Sequence, residues 1–188
     1  MQAARGASLS SSDPGTKSAR VSSRLIFAVA ALVGLTIDQV SKAWALANLG
    51  DQSRPVIGDW FTLYLTFNPG AAFSTGTRFT VVFTALAIIA VGVILFLSRR
   101  LGSRLWALGL GLLLAGVAGN LTDRIFRDPA PFRGHVIDFL RVPNFPVFNV
   151  ADIFINVAAA VIILQSIRGV SLDGTRHDED RSAPEAGE

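Results

Sequence analysis

Apolar residues in this chain gather into four blocks, roughly Leu25–Ala47, Phe79–Leu97, Leu105–Leu121 and Val147–Ile167. Stretches rich in arginine, proline and glycine separate them. Each block is close to the ~20 residues that cross a ~30 Å hydrocarbon layer. Only helices or a closed barrel satisfy every backbone hydrogen bond there. The strict alternation of barrel strands is missing, so the blocks predict four transmembrane helices. Between the first two blocks, about 48–77, the run Trp60–Phe67 is aromatic, β-prone and short for a span. It predicts strands or an interfacial platform, followed by a turn at Asn68-Pro69-Gly70. Pro143-Asn144-Phe145-Pro146 predicts a break before the last helix. The expected fold class is an all-α membrane protein of four transmembrane helices with a small β-like platform in an outer loop.

The flanks differ from this pattern. Residues 1–20, rich in Ser, Gly and Ala, predict a disordered leader, and 171–188 predict a disordered acidic tail. Residues 21–170 are left as the membrane domain. Arg5, Lys17, Arg20 and Arg24 precede the first block, Arg99, Arg100 and Arg104 lie between the second and third, and Arg168, Arg176 and Arg181 follow the fourth. They outnumber the cations of the alternate connections, so the positive-inside rule predicts that both termini are cytoplasmic. The third connection is itself rich in arginine, with Arg124, Arg127, Arg133 and Arg141, which suggests that these have another task. The first block could be read as a cleaved signal peptide, but Asp38, Gln39 and Lys42 interrupt it, which a disposable segment has no reason to carry.

Composition sharpens the picture. The 188 residues are 51% hydrophobic and only 16% charged, too apolar for an ordinary soluble domain. A pI near 10.2 could suggest nucleic acid. The net charge is only +3 and the arginines flank apolar blocks, so no nucleic-acid partner is expected. With no cysteine, disulfides, thiolate metal sites and cysteine nucleophiles are excluded. His135 and His177 lie far apart. No metal site and no cofactor are expected.

Ionisable groups in spanning segments are expensive, ~2.5–3.5 kcal/mol or more, and mark functional sites by default. Asp152 lies in the fourth block, and Asp138 fourteen positions earlier. Asp38 is fourteen residues past Arg24, Asn120 sixteen past Arg104, and Asp152 fifteen short of Ile167. At 1.5 Å per residue these rises are about 21, 24 and 22 Å, so three helices bring polar side chains to one depth. Asp38 and Lys42, four apart, share a helix face and can pair, as part of the site or as a structural anchor. Gly116 and Gly119 predict close helix packing. Two neighbouring carboxylates cannot both ionise easily, so one stays protonated while the other acts as a base. That is the chemistry of aspartic peptide hydrolysis. A Ser–Lys scheme using Ser41 or Ser74 with Lys42 competes with it, as do a small proton or ion pathway and a purely structural membrane protein.

Five blocks then resemble prolipoprotein signal peptidases (signal peptidase II): Asp38-Gln39-Val40-Ser41-Lys42, Asn68-Pro69-Gly70-Ala71-Ala72-Phe73-Ser74, Gly116-Val117-Ala118-Gly119-Asn120-Leu121-Thr122-Asp123-Arg124, Val136-Ile137-Asp138-Phe139 and Phe148-Asn149-Val150-Ala151-Asp152. They stand in the family's order and cover about 38 to 152. Ala115-Gly116-Val117-Ala118 departs from a Gly-Gly pair frequent in such proteins. The resemblance implies a membrane-embedded aspartic endopeptidase. It would remove the signal peptide of diacylglyceryl-modified bacterial prolipoproteins, cleaving before the lipidated cysteine. It implies Asp138 and Asp152 as the catalytic pair, with Asp38, Lys42, Asn68, Gly70, Asn120, Arg124 and Asn149 binding substrate or supporting the site. It further implies a bacterial cell membrane location with the site toward the outer leaflet, contact with membrane lipid, and inhibition by globomycin-type cyclic peptides. One chain carries both aspartates, so a monomer is expected.

Overall fold

A computed structural model describes residues 14–50, 52–70 and 80–176 of the chain. Its elements run α1 (Pro14–Asn48), β1 (Arg54–Ile57), β2 (Phe61–Asn68), α2 (Thr80–Ser98), α3 (Arg104–Phe126), β3 (Val136–Arg141) and α4 (Val150–Ile167). Each of the four helices contains a stretch long and apolar enough to cross a membrane. Large apolar side chains such as Leu32, Val40, Ile89, Phe96 and Ile163 are exposed along them, as expected of surfaces that face lipid.

α1 begins at Pro14, inside the stretch expected to be a disordered leader. Proline at the first helical position loses nothing, because that N–H has no intrahelical partner. Residues 171–176, assigned by sequence to a disordered tail, instead turn back so that Val170 pairs with Arg176. This turn receives the Gly102 and Ser103 N–H groups on Leu172 O at 2.9 and 3.1 Å. Trp106 Nε1 donates to Val170 O at 2.8 Å. The remainder of both flanks, 1–13 and 177–188, lies outside the described residues.

α3 is the central helix and packs on α1, α2 and α4. Small residues allow the approach. A Cβ on Gly111 would lie 2.7 Å from Phe27 O of α1, and one on Gly116 would lie 2.5 Å from Ala151 O of α4. The sequence reading of Gly116 and Gly119 as packing glycines holds, since a Cβ on Gly119 would run into the Asp38 carboxylate.

At one end of the bundle the platform is an antiparallel three-stranded sheet in the order β1-β2-β3. β2 fulfils the expectation for Trp60–Phe67. β3 was not expected as a strand. In the β2–β3 ladder Thr66 faces Asp138 and Asn68 faces Val136. Ile137, Phe139 and Leu140 of β3 join a core with Ala45 of α1 and Leu49 just beyond it, while Asp138, between Ile137 and Phe139, points to the other face of the strand. The turn after β2 is present, with Gly70 at φ +136, a conformation glycine reaches without strain. The proline-flanked break before α4 is also present, with Asn144 at φ 58.

Gly116→Ala is expected to destabilise the bundle by ~1–3 kcal/mol, because its methyl meets backbone that cannot rotate away. Gly92, with open space around it, should tolerate alanine with an unchanged or higher unfolding temperature in detergent. Equal losses in the two variants would contradict the packing described.

Candidate active site

Sequence proximity does not bring Asp138 and Asp152 together; the connection between them does. Phe148 pairs back on Leu140, with Leu140 N donating to Phe148 O at 2.8 Å and Phe148 N to Leu140 O at 2.9 Å. The next residue, Asn149, therefore lands beside Asp138. It is also the N-cap of α4, in a capping box with Asp152. Its side-chain oxygen accepts from Asp152 N at 3.1 Å, while its own N–H donates to Asp152 Oδ2 at 3.1 Å. Asp152 therefore stands in the first turn of the helix, where a carboxylate satisfies an orphan donor and meets the positive end of the dipole. The sequence reading placed it just inside the fourth apolar block, and the span Val150–Ile167 does include it; its capping role at the helix start is what the sequence reading did not foresee.

Asn149 bridges the two carboxylates. Its Nδ2 donates to Asp138 Oδ1 at 2.6 Å and to Asn120 Oδ1 at 3.1 Å. Asn120 Nδ2 in turn donates to Asp152 Oδ1 at 3.0 Å. The second oxygen of Asp138 accepts from Asn68 Nδ2 at 3.0 Å. Asn68 is oriented by the turn that follows it, because Gly70 N donates to Asn68 Oδ1 at 2.9 Å. Burial pushes the Asp138 carboxyl up to about 6, the Asp152 carboxylate adds to the rise, and the Asn68 and Asn149 hydrogen bonds act against it.

Behind this layer lies a buried ion network. Lys42 Nζ contacts Asp38 Oδ2 at 3.0 Å and Asp123 Oδ2 at 2.7 Å, and donates to Asn120 Oδ1 at 2.9 Å. Arg127 Nε meets Asp123 Oδ1 at 2.6 Å. Both carboxylates also hold backbone. Asp38 Oδ1 accepts from Ala151 N at 3.0 Å, and Asp123 Oδ2 accepts from Ile137 N at 3.3 Å. Ile137 immediately precedes Asp138, and Ala151 immediately precedes Asp152. Each partner of Lys42 thus clamps the backbone next to one member of the pair.

Asp138 and Asp152 edge a cavity of about 500 Å³ that Asn68, Gly70, Arg124 and Asn156 also line. Phe145, Phe148, Ile153 and Val157 form its apolar wall. Arg124 Nη1 donates to Asn120 O at 3.4 Å, while its buried Nε has no partner among the described residues. All nine expected site residues therefore converge, in two layers. Asn68, Gly70, Arg124, Asp138 and Asp152 face the cavity, while Asp38 and Lys42 lie fully buried behind it. Asn120 and Asn149 join the layers.

The Ser–Lys alternative finds no support at Ser41, whose hydroxyl donates to Asp38 O at 2.8 Å while Lys42 is held by the carboxylates. Ser74 lies outside the described residues. Sequence reasoning missed the clamping roles of Asp123 and Arg127 and the cavity position of Asn156. The i,i+4 spacing of Asp123 and Arg127 was the available signal for the first two.

Comparison with known proteins places the chain in a family. A family model described as Signal peptidase (SPase) II matches residues 30–168. A lipoprotein signal peptidase of Leifsonia xyli subsp. xyli is 40% identical over 169 residues, covering 89% of this chain and 78% of the relative. One from Mycobacterium leprae is 48% identical over 151 residues, covering 80% and 75%, and one from Mycobacterium avium 47% over 162 residues, covering 85% and 88%. A solved bacterial membrane enzyme superposes with a TM-score of 0.66 at 23% identity, covering 89% of this chain and 94% of that one, which shows a shared fold. The molecule is a multi-pass membrane protease. The chain belongs to the signal peptidase II family.

Lys42→Met strands two buried carboxylates and is expected to cost ~3–5 kcal/mol, seen as a large drop in unfolding temperature in detergent. Arg127→Met should cost much less, because the Arg127 side chain is 28% exposed and Asp123 keeps Lys42. Equal destabilisation by the two would refute Lys42 as the centre of the network.

Proposed function

We propose that the protein is an aspartic endopeptidase that removes the signal peptide of diacylglyceryl-modified prolipoproteins, cutting before the lipidated cysteine. The observation that carries this reading is the pair Asp138 and Asp152, bridged by Asn149 at the edge of a cavity with one polar and one apolar wall. Membership of the signal peptidase II family supports the substrate class.

In this reading Asp138, whose carboxyl is held up to about 6 by burial, is the acid. Asp152, which accepts a hydrogen bond on each oxygen, is the base. Asp152 takes a proton from water as the water oxygen bonds to the scissile carbonyl carbon, and Asp138 gives its proton to the carbonyl oxygen. On collapse that proton returns to Asp138, the C–N bond breaks, and the proton on Asp152 passes to the leaving nitrogen. Arg124, a donor-only side chain that lines the cavity and whose Nε has no partner among the described residues, is suited to hold substrate carbonyls. The apolar wall suits acyl chains that stay in lipid, with the substrate arriving sideways from the membrane. The arginine distribution favours cytoplasmic termini and a site toward the outer leaflet of the bacterial cell membrane. A single chain supplies both carboxylates, so a monomer suffices, and a globomycin-type cyclic peptide is expected to compete for the cavity.

Purified protein should convert a diacylglyceryl-modified prolipoprotein, read as a gel shift, and leave the unlipidated form intact. Asp138→Asn and Asp152→Asn should each abolish cleavage while the protein still inserts and folds. Substantial turnover by either variant would sink the assignment. The pH dependence has a definite sign. The acid must be protonated, so kcat/KM should fall as pH rises through about 6. Asn68→Ala removes a hydrogen bond that favours the ionised form, raises the Asp138 pKa, and should move that falling limb to higher pH. A shift to lower pH would contradict the assignment of Asp138 as acid.

A further inference from the structure

Asn156 is a polar residue of α4 that neither the ion network nor the carboxylate pair uses. It is exposed, four residues beyond Asp152, on the cavity wall beside Ile153 and Val157. Its Nδ2 donates to Asp152 O at 2.8 Å, which ties the amide to the preceding turn of its own helix. Its Oδ1 and second N–H are unclaimed among the described residues. α4 is long and apolar enough to span, and Ile153 and Val157 are 41% and 44% exposed. An amide in such surroundings is unfavourable unless it is hydrogen-bonded. A partner that arrives with the substrate would satisfy it.

Peptide hydrolysis supplies such a partner. A signal peptide crossing hydrocarbon satisfies its backbone internally as a helix. Its scissile bond must unwind to reach Asp138 and Asp152, which frees N–H and C=O groups where water is scarce. Arg124, also on the cavity, has donors only, so it can take carbonyls and cannot take N–H groups. The Oδ1 of Asn156 is an acceptor that is free of the reacting pair.

Depth gives the register. Four helical residues rise ~6 Å, which about two extended residues span at ~3.3 Å each. In the orientation proposed above, the part of the substrate before the scissile bond lies deeper in the membrane, toward Asn156. We propose that Asn156 is a substrate-binding residue that accepts a hydrogen bond from a backbone N–H of the unwound signal peptide, about two residues before the scissile bond. This rests on the signal-peptidase reading.

The test uses the full chain in detergent, a diacylglyceryl-modified prolipoprotein peptide, and three versions of it. Each version replaces one backbone amide by an ester, at the second, third or fourth residue before the cleavage point, so that one N–H is lost with little change of shape. Asn156→Leu should lower kcat/KM about tenfold, the size of one lost hydrogen bond, with an unchanged unfolding temperature. One ester should slow the wild type by a similar factor and leave Asn156→Leu almost unaffected. Full activity of Asn156→Leu, or esters that all slow both enzymes equally, would overturn the inference and leave Asn156 as a side chain bonded to its own helix. Failure of the wild type to cleave the lipidated peptide at all would instead overturn the signal-peptidase reading, and this inference with it.

Discussion

The Lys42 ammonium is the interaction on which the rest of this structure depends. A lysine has three N–H donors and no acceptor. Buried at 0% exposure, it has three partners to match: Asp38, Asp123 and the Asn120 oxygen, at 3.0, 2.7 and 2.9 Å. A fully satisfied buried cation can be stable where a partly satisfied one would not be. Arg127 adds a second positive charge on Asp123, so two carboxylates face two cations and the network is neutral as a whole. Neutrality is what lets such a cluster sit among apolar helices.

Two consequences reach the cavity. The first concerns an amide. Because Lys42 can only donate, the Asn120 oxygen must face it, and the Asn120 nitrogen is left to face Asp152. The charge of Lys42 thereby reinforces the orientation that the Asn149 donor and the Asp152 acceptor also require. The second concerns backbone. The carboxylates that neutralise Lys42 hold the N–H groups of Ile137 and Ala151, each one residue before a member of the aspartate pair. α1 and α3 together thus fix β3 and the start of α4, two pieces of chain that local sequence does not hold in register.

Much of this was legible in the sequence, for identifiable reasons. The four apolar blocks gave the spans because lipid demands helices of a set length. The common depth of Asp38, Asn120 and Asp152 followed from the helical rise alone, and the Asp38–Lys42 pair from its spacing. What stayed hidden depends on tertiary contact. β3 is only Val136–Arg141, set in a connection full of arginine, proline and glycine, and it becomes a strand because β2 offers it an edge. The capping box of Asp152 with Asn149 was hidden because it requires knowing that the helix starts at Val150. Asn156 carries no motif, and its interest comes only from the cavity it lines.

The cavity combines two needs that conflict in a membrane. Hydrolysis requires water and charge, while the hydrocarbon around spanning helices excludes both. The structure separates them by element. Polar groups come from the sheet and the start of α4, where hydrogen bonds hold Asn68, Asp138 and Asp152 in place. The apolar wall comes from Ile153 and Val157, within the body of α4, and from Phe145 and Phe148 in the connection before it. The boundary between the two therefore runs along the first turns of α4. A peptide bond presented there meets preorganised dipoles on one side and hydrocarbon on the other. Such dipoles do most for charge development where water is sparse. Rigidity of the polar side follows from the buried Lys42 network, so the constraint that makes the bundle stable also holds the carboxylates in place.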